Sequence, residues 1–198
     1  MPLGEAADGA DMSEAVSAQF PLWVDLGIRA DRVMFGAYFQ YGPGLLGSDF
    51  ADVCEEAEEN VEAADPDGDL DCHIRDIRLG LQLQYHFGQP RKPDPWIGAG
   101  AGYEWLTFGV SGEDADEEIS ADVGVRGFEF LNLQAGIDLP LNDAIGLGPF
   151  LAFTVARYDT LSIDCSGDCG LLEEDSEDIE EKALHHWLML GARLSVLP

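Results

Sequence analysis

Several side-chain groupings in this chain of 198 residues have the types and spacing that chemistry requires. Asp65, Asp67, Asp69 and Asp71 alternate through DPDGDLD around Gly68, and alternating oxygens are what Ca2+ takes from a loop. The glycine falls one place early for an EF-hand and Asp76 would stand at position twelve, so two readings stay open: weak Ca2+ binding and a merely solvated acidic loop. Cys54 and Cys72 bracket that segment, while Cys165 and Cys169 lie four apart in CSGDC. An even number placed pairwise in polar stretches points to disulfides in an oxidising compartment, with a zinc site using His73 as the rival. His185 and His186, beside acidic residues, are acid–base candidates. No serine with a matching partner and no second carboxylate pair stands near them, so no catalysis is expected. No cofactor is expected beyond the Ca2+.

The elements that would position these groups are strands. Two-residue alternation recurs in seven segments, and helical periodicity dominates nowhere. They are LWVDLGIR (22–29), VMFGAYFQYG (33–42), IRLGLQLQYHFG (77–88), WIGAGAGYEWL (96–106), FEFLNLQAGIDL (128–139), LGPFLAFTVARY (147–158) and WLMLGARLSV (187–196). Short turns (30–32, 89–94, 142–144) alternate with long connections (47–72, 113–122, 164–181). Those long connections carry eleven, six and nine of the 39 Asp and Glu and no Lys or Arg. The net charge of -29 is thus concentrated on one rim. It excludes nucleic acid, whose phosphates require cationic groups, and favours cations.

In the third segment one alternating set, Ile77 to Phe87, has no polar member apart from the Tyr85 hydroxyl, and the other, Arg78 to Gly88, has no large apolar one. A soluble barrel turns its apolar set inward; a membrane barrel turns it to lipid. Glycines suit a crowded interior beside Trp23, Tyr38, Phe150 and Trp187 better than they suit a wet strand face. The mixed set also carries three acids, Asp25, Glu104 and Asp138, and three bases, Arg29, Arg78 and Arg193, which could neutralise one another in a closed lumen with Gln82 and Gln84. Eleven residues from 77 to 87 match the roughly 9–11 of a tilted membrane strand. Tyr41, Phe87 and Trp105 would suit an interfacial belt. Glu129 and Arg157 fall on the lipid-facing phase, and Pro149 predicts a bulge or local break, since it cannot donate to a ladder.

PLWVDLG, YFQYG, DIRLGLQLQYHFG, PWIGAGAGYEWL, NLQAGIDL, GPFLAF and HHWLMLGARLSV, taken in order, resemble the small outer-membrane β-barrel proteins of Gram-negative bacteria with the OmpA/OmpX-like eight-stranded architecture. The resemblance covers most of residues 19–196. It implies an all-β, antiparallel up-and-down transmembrane barrel as a single domain over 1–198, located in the cell outer membrane. It also implies barrel-assembly machinery as a partner, since Gly191, Leu194 and Val196 match the expected terminal-strand signal, though the chain ends Val196, Leu197, Pro198 and not in an aromatic residue. Seven strands are visible where eight are expected. The first strand and a signal peptide are therefore expected upstream in the parent, with residues 1–18 an acidic loop and Met1–Gly4 a remnant of the first hairpin. The edges at 22–29 and 187–196 would then either pair directly with strain or stay open.

The function expected is a non-enzymatic envelope role in structure or surface interaction, with an acidic rim that attracts divalent cations and bridges to lipopolysaccharide. A narrow, porin-like channel for small solutes and a soluble lipocalin-like ligand-binding barrel are the alternatives.

Overall fold

The computed structural model describes residues 1–198 except 8–9, 65–68, 89–91, 115–116, 143–144, 167–174 and 197–198. In chain order the elements are β1 (Pro2–Ala7), β2 (Ala10–Asp11), α1 (Met12–Ala15), β3 (Val16–Gln19), β4 (Leu22–Ala30), β5 (Val33–Leu46), α2 (Ser48–Ala64), β6 (Asp69–His86), β7 (Asp94–Asp114), β8 (Glu117–Pro140), β9 (Ile145–Ser166), β10 (Asp175–Asp178) and β11 (His185–Val196). Seven strands, β4 to β9 and β11, hydrogen-bond into a ring. Each neighbouring pair is antiparallel except the last: β11 meets β4 in parallel, through Arg193 opposite Trp23 and Leu194 opposite Val24. The parity is geometric. In an odd up-and-down ring, the first and last strands necessarily run the same way.

β1 sits in the upper part of this seam. Its residues Pro2, Leu3 and Gly4 pair antiparallel with Trp187, His186 and His185, and Met1 exchanges backbone hydrogen bonds with Leu188 at 2.7 and 3.0 Å. The first residues thus hold the position and direction of an additional strand for a third of the length of β11. The N-terminal region is not a plain loop: β1 and β2 form a small hairpin, Asp11 caps α1 and β3 continues the edge of β5.

The long connections differ most from the sequence reading. Residues 48–64 form a helix, which the alternation analysis did not anticipate. β6 begins at Asp69, and β7 and β8 extend into 113–122, still paired at Asp114 and Glu117. β9 runs to Ser166 with β10 paired along its Thr160–Ile163 stretch. The barrel is therefore tall, with strands of 18 to 24 residues on that side. Around Pro149 the β8–β9 ladder lapses between Gly136–Phe150 and Leu139–Leu147, while the strand itself continues.

A disulfide joins Cys54 of α2 to Cys72 of β6 and so fastens the helix to the barrel mouth. Phe50 adds a stacked contact with Phe108, ring centroids 4.0 Å apart. Both thiols are consumed, which removes the zinc alternative at that pair. Cys165 is also disulfide-bonded; Cys169 lies outside the described residues. Because the ring closes at the parallel seam, the double variant Val24→Cys/Leu194→Cys should cross-link under mild oxidation, read as a mobility change on non-reducing gels. No cross-link in the folded protein would mean that the seam is open.

Candidate functional site

The interior is filled in layers, each built from the inward set of several strands. At the short-turn end Asp94 accepts from Arg29 at 2.6 Å and from the Gly88 N–H at 2.8 Å, with His86 Nδ1 3.0 Å away. One layer up, the Arg193 guanidinium bridges Asp25 and Asp138 at 2.5 and 3.0 Å, donates to Gln84 and lies 4.0 Å over the Trp96 ring. Gln82 and the Trp23 indole also donate to Asp25, each at 2.6 Å. Trp23, Tyr38 and Phe150 form an aromatic layer above, with Trp23 stacked on Tyr38 at 5.0 Å. Gly80 and Gly102 make room for it, since a methyl group at either would overlap the Tyr38 hydroxyl.

The central layer is the most highly charged. Arg78, fully buried, pairs with Asp76 at 2.9 Å, Glu104 at 3.2 Å and Glu129 at 3.1 Å, and donates to the Thr154 hydroxyl at 2.8 Å. Glu104 also accepts from Tyr158 at 2.6 Å and from the Trp187 indole at 3.0 Å, and lies 3.2 Å from His185 Nε2. Glu129 accepts from Tyr38 and from Asn132, and Asp76 from Gln40 and Gln19. Each carboxylate thus has several donors, the condition under which buried charge is tolerated.

All eight residues read as an interior polar set face inward, but they do not form one group. Arg29 belongs to the bottom layer, Asp25, Gln82, Gln84, Asp138 and Arg193 to the next, and Arg78 with Glu104 to the central one. The balance of three acids and three bases does not hold, because Asp76, Asp94 and Glu129 are also buried. Glu129 requires a correction. A register shift between Glu129 and Leu131 turns it inward, opposite to its expected lipid-facing phase. Arg157 does face outward, over the Phe130 ring. His185 is buried against Tyr158, their rings stacked at 4.0 Å, and serves as a partner of Glu104. Of the acidic series, Asp65 and Asp67 lie outside the described residues, as does the side chain of Asp69; Asp71 is exposed on β6.

Above the central layer the two phases exchange character. In the lower barrel the outward set is apolar and exposed: Ile28 at 82 %, Leu81 at 59 % and Leu190 at 75 %. Above Trp105 the outward set becomes Thr107, Asp122, Arg126, Thr160 and Ser162, with Arg75 paired to Asp122 at 3.3 Å. The inward set there becomes Leu106, Phe108, Val125 and Leu161. Irregular pairings mark the change, at Gly100/Gly102, Arg126/Gly127 and Glu129/Leu131. Sequence alternation carried this signal, since ISADVGVRG alternates as regularly as the lower segments. Assigning 113–122 to a loop concealed it.

Outward aromatic pairs stand near both limits of the apolar zone: Tyr85 with Phe87 at the short-turn end, and Tyr103 with Trp105 and Phe128 with Phe130 at the other. Tyr41, Ile77 and Trp105 share one level through their pairing. From Ile77 to Phe87 the chain rises roughly 33 Å at about 3.3 Å per residue, or about 25 Å along the axis at a tilt near 40°.

No family model matches the chain, and neither the curated proteins nor the solved structures contain a match to it.

The central layer makes a specific demand on stability. Arg78→Met would strand three buried carboxylates, a loss of about 3–5 kcal/mol. Glu129→Gln should cost much less, because an amide oxygen still accepts from Tyr38 and Asn132 and two carboxylates remain for Arg78. Urea unfolding of the two variants beside the parent measures the difference; equal midpoints would remove Arg78 as the organising group.

Proposed function

We propose that this chain is a transmembrane β-barrel protein of the Gram-negative outer membrane. Its role is non-enzymatic, in envelope structure or surface interaction, with the acidic, disulfide-braced end facing the exterior. The observation that carries the reading is the exchange of phases. A soluble barrel has no reason to expose Leu22, Leu26, Ile28, Leu81, Leu83 and Leu190 around a closed ring while burying charge, since soluble monomers rarely expose apolar patches beyond a few hundred Å2. A height of about 25 Å between aromatic levels suits the hydrocarbon zone of an outer membrane. Above it, outward Thr, Ser, Asp and Arg suit water and headgroups.

The acidic rim would recruit divalent cations that bridge to anionic lipopolysaccharide, and β11, with Gly191, Leu194 and Val196, would be the strand offered to the barrel-assembly machinery. The layered interior supports a structural role over transport, because Arg193, the stacked Trp23 and Tyr38, and Arg78 occupy successive levels of the bore. Single-channel recordings in planar bilayers should therefore show no conductance steps; reproducible steps would favour a channel.

Two substitutions one residue apart test the membrane reading. Leu81→Arg places a cation in the middle of the apolar belt at a cost of about 2–4 kcal/mol. Gln82→Lys places one inside, where the ammonium reaches the Asp25 carboxylate that Gln82 now contacts. Insertion into lipid vesicles, followed by heat-modifiable gel migration, should fail for the first and persist for the second. Equal insertion of both would falsify the assignment of faces, and recovery of the parent as a soluble monomer would favour a lipocalin-like barrel.

A further inference from the structure

The lower barrel is packed with side chains, but its mouth is not. Between α1, α2 and the inner wall of β7, β8 and β9 lies a cavity of about 790 Å3, within the range of small-molecule sites. Its wall is formed by Leu106, Phe108, Val123, Val125 and Leu161, and Val123 remains 38 % exposed inside it. These are the inward residues of the region where the phases have exchanged. The fold therefore turns an apolar surface inward at a level where its outside is polar, and leaves that surface incompletely covered.

The rim of the same cavity is of one sign. Asp11, Glu14, Asp49, Glu177, Asp178 and Glu180 line it, and no Lys or Arg does so among the described residues. Asp11 is held as an anion: the Ser13 backbone N–H and hydroxyl both donate to it at 2.8 Å, which lowers its carboxyl below the usual range. An anionic amphiphile such as a fatty acid would bring its headgroup against six carboxylates, a like-charge arrangement that specific sites avoid. An uncharged apolar ligand would use the wall and leave the rim without a counter-charge.

We propose that the barrel mouth is a binding site for a cationic amphiphile: an apolar chain or ring lying against Phe108, Val125 and Leu161, with an ammonium or guanidinium head among Glu177, Asp178 and Glu180. The cavity stands above the apolar belt, so the site is independent of whether that belt meets lipid. Octylammonium is a suitable probe, with octanoate as the anionic control of equal chain length.

Calorimetric titration of the full chain, in phosphatidylcholine nanodiscs with the signal of empty discs subtracted, or in buffer if the protein remains soluble, reads the binding. Octylammonium should bind saturably at one per barrel, and octanoate about tenfold or more weaker. Leu161→Trp, which fills the wall, should weaken octylammonium about tenfold. The triple variant Glu177→Gln/Asp178→Asn/Glu180→Gln alters only the rim and should reduce both the affinity and its salt dependence. Equal uptake of the two probes, no saturable octylammonium binding, or affinity unchanged in both variants would overturn the proposal.

Discussion

The structure depends on how one guanidinium is held. Arg78 is fully buried inside the barrel with Asp76, Glu104 and Glu129 around it, drawn from three neighbouring strands. Isolated charges so deeply buried would be prohibitively costly, so each strand must present its carboxylate at that level. Tyr38 and Asn132 then donate to Glu129, and Tyr158 and Trp187 to Glu104. A slip of one residue in β7 would send Glu104 outward, and a slip in β8 would do the same to Glu129. Register across β6, β7 and β8 is thus tied to one ion cluster. Directional polar contacts, in place of apolar packing alone, specify this interior.

The same level is where the surroundings change. Below it the ring buries charge and exposes aliphatic groups; above it the ring does the reverse. A strand of strict two-residue period can keep alternating while its two faces exchange roles, because the period concerns direction only. The β6–β7 ladder passes through the exchange without a shift, whereas the pairings of β8 adjust there, at Gly100/Gly102, Arg126/Gly127 and Glu129/Leu131. The extra residue in β8 leaves Phe130 and Leu131 both exposed and brings Glu129 to Arg78. A bulge that re-aims a side chain is a recurrent device in β-sheets.

What could be read from residues alone divides along this boundary. Ile77–Phe87 and Arg78–Gly88 were separable because each set is chemically pure, and the order of strands followed from seven such segments. Glu129 was misassigned because alternation counts residues, and one bulge shifts everything on its far side. The strand pairing within 113–122 and helix α2 were hidden by charge: eleven acids over 47–72 resemble a solvated loop, and the Cys54–Cys72 anchor that holds the helix acts through space. Asp76, read as position twelve of a Ca2+ loop, and Asp94 were left out of the interior set because they stood at expected strand ends, where a carboxylate is ordinarily wet. Both are buried because Gln19, Gln40 and Arg78 reach the first, and Arg29 and His86 the second.

The seam between β11 and β4 follows from parity and is the least complete part of the ring. The antiparallel ladder of β11 with β9 runs from His185 to Val196, whereas the parallel contact here joins Arg193 with Trp23 and Leu194 with Val24. Side chains compensate for the missing backbone pairs. Arg193 reaches from β11 to Asp25 of β4, and Met189 and Trp187 of β11 are buried in the core that also holds Trp23. Higher up, Met1 to Gly4 take over the backbone groups of β11 from Leu188 to His185. The ring is therefore held at its weakest joint by an ion pair below and a short added strand above. This division agrees with the rest of the barrel, in which buried charge sets the register of the lower half and the layers of chain around the mouth stabilise the upper half.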